Sequence, residues 1–250
     1  MAIYFASDFH LGLDYNLSSH YRQNLVIKWL DLIKEDAEEI YLLGDTFDFW
    51  FEYKNVAPKG YIRLLGKLAE ITDSGIPIYM FTGNHDMWMF GYLEKELGVK
   101  IIYDPITKNI DGLNFMIGHG DGLGPGDMSY KIIKRLFRNK FNQRLFSILH
   151  PTLGLTIMKW FSKKSRESEK TVLPFLGSEK EWLIQYCEEQ IKKSKIDFFI
   201  FGHRHLPIDH ILSNGKSRYI NTGDWINHFT YAKLQSQQLS LQKFQHEPND

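Results

Sequence analysis

The sequence predicts one α/β domain over residues 1–250, with parallel strands in its first half, antiparallel strands in its second, and a helical cap inserted at about residues 124–177. Three observations predict it. Short apolar, β-favouring runs alternate with amphipathic helical stretches up to residue 81, the rhythm of repeated βαβ units. Closely spaced alternating runs with turn residues between them come next. A basic and apolar segment of different character then separates two loops rich in histidine and aspartate.

Residues 3–7 read as the first strand and deliver Asp8 and His10, whose spacing puts both side chains on one side of an extended backbone. Residues 22–37 follow as an amphipathic helix with Leu25, Trp29, Leu32 and Ile33 as its apolar stripe. Residues 40–43 form a second buried strand ending at Gly44-Asp45, and a strand, helix, strand order of this length predicts a right-handed crossover and a parallel pair. The aromatic run from Asp48 through Phe49, Trp50, Phe51 and Glu52 to Tyr53 has two readings, a hydrophobic plug beneath a site or a wall for an organic substrate. Residues 59–74 make the next helix, Gly75 ends it, and Pro77 enters a strand that releases Gly83-Asn84-His85-Asp86. A short helix at 94–97 stops at Gly98. Alternating runs at 99–103, 106–110 and 113–117 follow, and Asp111-Gly112 is a hairpin signal, so the second half of the sheet is expected to be antiparallel.

Between residues 124 and 177, Lys131, Lys134, Arg135, Arg138, Lys140 and Arg144 lie beside Ile132, Ile133, Leu136, Phe137, Phe141, Leu145 and Phe146. Two readings stand: a helical hairpin packed on the core, or a cap that touches lipid or an acyl chain. Large apolar surface accompanied by cations that can face anionic headgroups favours the second. Ser178 and Glu181 form a capping box for a helix running to about Lys195. Residues 197–201 form a strand ending at Gly202-His203-Arg204-His205. Residues 217–221, 230–234 and 239–244 complete the chain as antiparallel strands, and the polar tail from Gln245 is expected to fray.

Composition narrows the function. Thirty Lys and Arg balance thirty Asp and Glu, so no excess of positive charge marks a nucleic-acid partner. The single Cys187 cannot make an internal disulfide, fits a reducing compartment, and reads as a packed helix residue rather than a catalytic thiol. Met1 leads straight into a β-like run without a signal-peptide pattern, and no window approaches about 18 uninterrupted apolar residues. The expectation is a soluble or peripherally attached cytoplasmic protein with no obligate protein partner.

Five apolar runs end in Asp, Asn or His: at Asp8 and His10, at Asp45, at Asn84, at His119, and at His203 and His205. These seven neutral or anionic ligands include no thiolate. They suit two divalent ions of intermediate hardness, Mn²⁺ most naturally, with Fe²⁺ or Zn²⁺ as alternatives. Asp45, between the two clusters, is the candidate bridge. Metals about 3.5–4 Å apart polarise a shared water to hydroxide and clamp phosphoryl oxygens during in-line attack, so no nucleophilic Ser or Cys is needed. A lone histidine of this kind reads as a satisfied buried side chain; seven polar strand ends do not.

The ordered set D-x-H, G-D, G-N-H-D, G-H-G-D and G-H-x-H, spanning residues 8–205, resembles the calcineurin-like metallophosphoesterases. That resemblance implies an αββα sandwich, two mixed β-sheets flanked by helices. It implies Asp8, His10, Asp45 and His205 on one metal and Asp45, Asn84, His119 and His203 on the other. It further implies that His85, oriented by Asp86, contacts the phosphate or helps the leaving group depart. A closer resemblance is to the UDP-2,3-diacylglucosamine pyrophosphatases of lipid A synthesis. It is carried by the run Gly44 to Trp50, by His119-Gly120-Asp121-Gly122-Leu123 with Asp127 and Tyr130, by the basic-apolar cap with Ser165-Arg166-Glu167, and by Gly223-Asp224-Trp225. This implies hydrolysis of a lipid-linked nucleotide by attack of a metal-bridging hydroxide on the α-phosphorus. The products would be UMP and 2,3-diacylglucosamine 1-phosphate, formed at the cytoplasmic face of the inner membrane with the acyl chains in the cap. Asn84, His85, Asp127, Tyr130, Ser165 and Arg166 become candidates for substrate contact. Those enzymes commonly have Arg where this chain has His85. The rival readings are a metallophosphoesterase for another phosphodiester or nucleotide, which the cap discriminates, and a binding subunit without chemistry, against which the intact ligand set argues.

Overall fold

The computed structural model describes residues 1–126, 128–168 and 174–245. Strands β1 (Ala2–Ala6), β2 (Ala37–Leu42), β3 (Ile78–Phe81) and β4 (Lys100–Ile102) alternate with helices α1 (Ser19–Ile33), α2 (Ile62–Asp73) and α3 (Tyr92–Leu97). After β5 (Ile106–Ile110) and β6 (Leu113–Ile117) come three helices, α4 (Met128–Arg138), α5 (Lys140–Ser147) and α6 (Pro151–Ser168). Helix α7 (Trp182–Ile191) then precedes β7 (Phe198–Phe201), β8 (Pro207–Ile211), β9 (Arg218–Thr222), β10 (Thr230–Gln235) and β11 (Gln238–Lys243).

The strands form two mixed sheets, ordered β11-β10-β1-β2-β3-β4 and β5-β6-β7-β9-β8. Alternation along each strand explains why they stack. Successive side chains point to opposite faces, so Tyr4, Ile40, Leu42, Ile78 and Met80 pack outward against Trp29 and Leu30 of α1 and Leu64 and Leu68 of α2. Their neighbours Phe5, Tyr41, Leu43 and Phe81 point inward and meet Phe115, Ile117, Ile200 and Ile220 of the second sheet. Phe199, Phe201 and Tyr219 face out again and are covered by Leu183, Ile184 and Cys187 of α7. The αββα sandwich follows directly. Among the described residues, no helix is long and apolar enough to cross a membrane.

Several local expectations change. Helix α1 begins at Ser19, where the Ser18 side chain accepts from the Tyr21 N–H, and ends at Ile33 because Ala37 already opens β2. Its buried stripe is Leu25, Val26, Trp29, Leu30 and Ile33; Leu32 falls outside that arc and is 59% exposed. There is no single sheet with an antiparallel half. β4 returns through α3 to lie parallel to β3 in the first sheet, and the chain then crosses at Tyr103-Asp104-Pro105 to start the second. The β5–β6 hairpin forms as expected, with Asp111 and Gly112 at φ 50° and 83°, the left-handed pair such a turn requires. β9 lies parallel to β7, and β8, unanticipated in the sequence, supplies its antiparallel neighbour. The capping box is absent, for α7 starts at Trp182 and the Glu181 carboxylate instead accepts from the Leu176 N–H and pairs with Arg204. The tail beyond Gln245 lies outside the described residues.

Candidate metal centre

β1, β2 and β3 run parallel in one sheet, as do β6 and β7 in the other, so five C-terminal strand ends share one rim. Backbone bonds lock the ends together: Asp8 N donates to Gly44 O at 3.1 Å, His10 N to Asp45 O at 2.9 Å and Gly202 N to His119 O at 2.9 Å. Each chain must turn sharply as it leaves its strand. Asp8, His10, Asp45, His203 and His205 all do so at positive φ, between 44° and 67°. For residues with a Cβ this conformation costs of order 1–3 kcal/mol each, and such strain persists where surrounding structure over-determines it.

The turns aim the donor atoms at two adjoining points. At the first, His10 Nε2 stands 3.7 Å from Asp8 Oδ1, 3.6 Å from Asp45 Oδ2 and 3.2 Å from His205 Nε2, while His205 Nε2 is 3.3 Å from Asp8 Oδ1. At the second, His119 Nε2 is 3.4 Å from Asp45 Oδ2 and 3.1 Å from Asn84 Oδ1, which also lies 3.0 Å from His203 Nδ1. One oxygen, Asp45 Oδ2, therefore faces both groups. Asp8 Oδ1 is buried without a hydrogen-bond partner, although Ser7 Oγ and the His203 N–H serve the other oxygen of the same carboxylate. Orphaned buried oxygens are costly, and a divalent cation coordinated by O and N donors removes that cost. The residues present fit such ions.

Electrostatics agrees. Burial alone would raise the Asp45 carboxyl, but the charges of His119 and His85 hold it well below the ordinary range; at Asp8, His205 and His10 likewise overcome burial. Burial disfavours an imidazolium at His119, and the Asp45, Asp8 and Asp121 carboxylates outweigh it, raising the group to about 10. His203, half-buried, is lowered to about 4 by desolvation and then by the charge of His119. The pocket thus demands cationic charge, and a metal ion and a proton compete for the same lone pairs.

An outer layer sets the imidazoles. His119 Nδ1 donates to Leu43 O at 2.8 Å, leaving Nε2 for the centre. His10 Nδ1 faces Asp48 Oδ1 at 3.6 Å, and the fully buried Arg22 of α1 donates to the carbonyls of His10 and Leu13 at 2.8 and 2.7 Å. The His85 N–H donates to Asp45 Oδ1 at 2.9 Å, and its ring donates from Nδ1 to Asp48 O at 3.1 Å, with a ring nitrogen within 4.8 Å of the donor atoms of His10 and Asp45. Asp86 does not orient His85. Its carboxylate turns back to accept from the N–H groups of Gly83 (2.7 Å), Asp45 (3.3 Å) and Phe47 (3.3 Å), so it braces the Asp45 and Asn84 loops. Burial and then the adjacent Asp45 push it up to about 7.

The cap stands on this rim. Phe49, Phe51, Met87 and Trp88 form an apolar floor on which Phe137, Phe146, Leu155 and Met158 rest, which decides the aromatic run as a plug. Polar ties reach the ligand loops: Ser162 Oγ donates to Asp48 Oδ2 at 2.9 Å, Trp88 Nε1 to Phe137 O at 2.9 Å, and Lys134 pairs with buried Asp121 at 2.6 Å. The Tyr130 hydroxyl donates a hydrogen bond to Asp121 and its ring lies beside His203, 6.4 Å between ring centroids. Asp127 lies outside the described residues, as do the side chains of Ser165 and Arg166 on α6. Arg22, Asp48 and Asp224, whose carboxylate reaches His205, were not singled out in the sequence as site residues. Asp48 and Asp224 do sit in the motif runs Gly44 to Trp50 and Gly223 to Trp225.

Comparison with known proteins places this geometry. A relative from Porphyromonas gingivalis named UDP-2,3-diacylglucosamine hydrolase is 39% identical, covering 97% of this chain and 97% of that one. A protein of the same name from Proteus mirabilis is 27% identical, covering 98% and 99%. A solved archaeal phosphodiesterase is 16% identical with a TM-score of 0.49, covering 96% of this chain and 98% of that chain. The family model for calcineurin-like phosphoesterases matches residues 1–207, the span that carries all seven candidate ligands, and the chain belongs to that family.

Proposed function

We propose that this protein hydrolyses the pyrophosphate of UDP-2,3-diacylglucosamine, releasing UMP and 2,3-diacylglucosamine 1-phosphate. The carrying observation is Asp45 Oδ2, which faces two ligand groups at once, 3.6 Å from His10 and 3.4 Å from His119, at the base of a basic and apolar cap. The full-length relatives of that name agree with it.

Asp8, His10, Asp45 and His205 would hold one ion and Asp45, Asn84, His119 and His203 the other, Mn²⁺ suiting this donor set best. Two such ions supply an activated water and Lewis-acid stabilisation of phosphoryl oxygens. The chain does the rest. His85, its side chain 16% exposed and its ring held by the Asp48 carbonyl, would meet the phosphate and, as an imidazolium, donate from Nε2 to charge that develops on it. Asn84, within hydrogen-bond reach of His119 and His203, and Tyr130, beside His203, would be contacts too, with Asp127, Ser165 and Arg166 as the further ones. Exposed Ile132, Leu136, Phe141 and Leu145 offer apolar surface for acyl chains, and exposed Arg135, Lys140 and Arg144 accompany them. Such a surface supports peripheral contact with an anionic membrane on its cytoplasmic face.

The test is UMP release from UDP-2,3-diacylglucosamine in detergent micelles by Mn²⁺-loaded protein, with bis(p-nitrophenyl) phosphate in parallel. Chelator-sensitive UMP release is expected. Cleavage of the chromogenic ester alone would discard the lipid substrate, and cleavage of neither would discard catalysis.

A further inference from the structure

The family match ends at residue 207, yet the surroundings of His205 are completed by the connection between β9 and β10. Asp224 in that connection is fully buried. Its Oδ2 lies 3.4 Å from His205 Nδ1. Its Oδ1 accepts the N–H groups of Asn227 at 2.9 Å and His228 at 3.0 Å and stands 3.1 Å from His228 Nδ1. Asn227 Nδ2 is 3.4 Å from Oδ2. The connection is anchored on both sides. Trp225 is buried against Phe9, Trp29 and Phe244, its backbone N–H donates to the Asp8 carbonyl at 3.1 Å, and its indole donates to Thr230 O at 3.0 Å. Ser7, next to Asp8, shares a 2.7 Å hydrogen bond with Thr222.

We propose that Asp224, steadied by His228, is a positioning residue that keeps the proton of His205 on Nδ1 and so presents the Nε2 lone pair to the metal shared with Asp8 and His10. An imidazole binds a metal through Nε2 only when that nitrogen is unprotonated, and an anionic acceptor on the opposite nitrogen selects that tautomer and fixes the ring plane. His119 obtains the same service from the Leu43 carbonyl and His10 faces Asp48. For His205 the acceptor comes from the C-terminal segment, so a part of the chain beyond the family match sets the affinity of one ion. His228 contributes by holding Oδ1 with its ring in addition to its backbone N–H, which leaves Oδ2 aimed at His205.

This inference rests on the reading of His205 as a metal ligand, and the test separates the two. Chelator-stripped full-length protein is titrated with Mn²⁺, free ion is measured by electron paramagnetic resonance, and folding is checked by circular dichroism. The wild type is expected to bind two ions. In Asp224→Asn the amide oxygen is claimed by the three donors around Oδ1, so the NH₂ faces His205 Nδ1 and drives its proton to Nε2. One ion should then bind roughly 10–100-fold more weakly while the other is unchanged. His228→Ala should weaken the same ion by a smaller factor, and His228→Asn, which restores an N–H near the Nδ1 position, should recover it. Two ions held as tightly by Asp224→Asn and His228→Ala as by the wild type would overturn the proposal alone. Fewer than two ions on the wild type would overturn the metal-centre reading and the proposal with it. If Asp224→Asn does not fold, His228→Ala, which keeps the carboxylate, decides.

Discussion

A Cβ on Gly83 would sit 2.1 Å from Asp45 Oδ1 and 2.6 Å from Asp45 N, so the residue is glycine because the carboxylate facing both ligand groups occupies the place of its side chain. Gly83→Ala must push Asp45 aside, and a displacement of about 1 Å in such a site costs on the order of 10²-fold in rate. Turnover of the chromogenic ester checks this, and wild-type turnover would show that Asp45 tolerates the shift. Asp45→Ala and Asn84→Ala are expected to lower turnover by orders of magnitude with circular dichroism unchanged, since each removes a donor rather than core packing. Near-normal activity in both would sink the two-metal assignment. The ligands were legible in the sequence because Asp and His after apolar runs have no reason to be in a neutral core. Asp86 was legible as important but not in its role. The family resemblance implies that it orients His85, whereas the turn after Gly83 sends its carboxylate back to three backbone N–H groups.

The cap helices α4, α5 and α6 show the same division at the level of elements. Their helicity and mixed basic-apolar character follow from spacing, and Phe137 and Phe146 find the aromatic floor. Which apolar residues stay outside depends on how the helices sit: Phe141 remains 72% exposed and Leu145 59%. Changing Ile132, Leu136, Phe141 and Leu145 together to serine should cost little stability, because surface substitutions are usually within about ±0.5 kcal/mol each. UMP release from the diacylated substrate should fall at least roughly tenfold, about 1.4 kcal/mol in transition-state binding, while the chromogenic ester is cleaved as before. Equal loss on both substrates would make the cap a structural support of the centre and not a lipid site. Strand partnership was less legible than helix formation. The run at 99–103 has the same alternation whichever sheet it joins, and only the crossover through α3 assigns it to β3.

For the molecule as a whole, metal and fold are linked. An ion that binds the native chain and not the unfolded one stabilises by about 2.7 kcal/mol at a hundred times its dissociation constant, and about 1 kcal/mol moves the midpoint of a domain this size by 2–4 °C. Chelation is expected to lower the thermal midpoint by roughly 5–10 °C for each tightly held ion and to abolish UMP release. A scan in chelator and in excess Mn²⁺ checks it, and identical midpoints would deny that folded protein binds metal. The inner face of β1, β2 and β3 meets that of β6, β7 and β9, and this stacking brings Asp8, Asp45 and Asn84 from one sheet to His119, His203 and His205 from the other. Sequence by itself determined every strand but β8, the helical segments, the seven candidate donors and their order, because period-two alternation and polar strand ends are local properties of the chain. The family resemblance implied the two sheets and made Asp45 the candidate bridge; tertiary structure alone decided which run joins which sheet, that Oδ2 is the Asp45 oxygen facing both donor groups, and that Asp48 and Asp224 stand behind His10 and His205. Those facts depend on distances between residues as far apart as Asp8 and Asp224, which close packing sets and local pattern does not record.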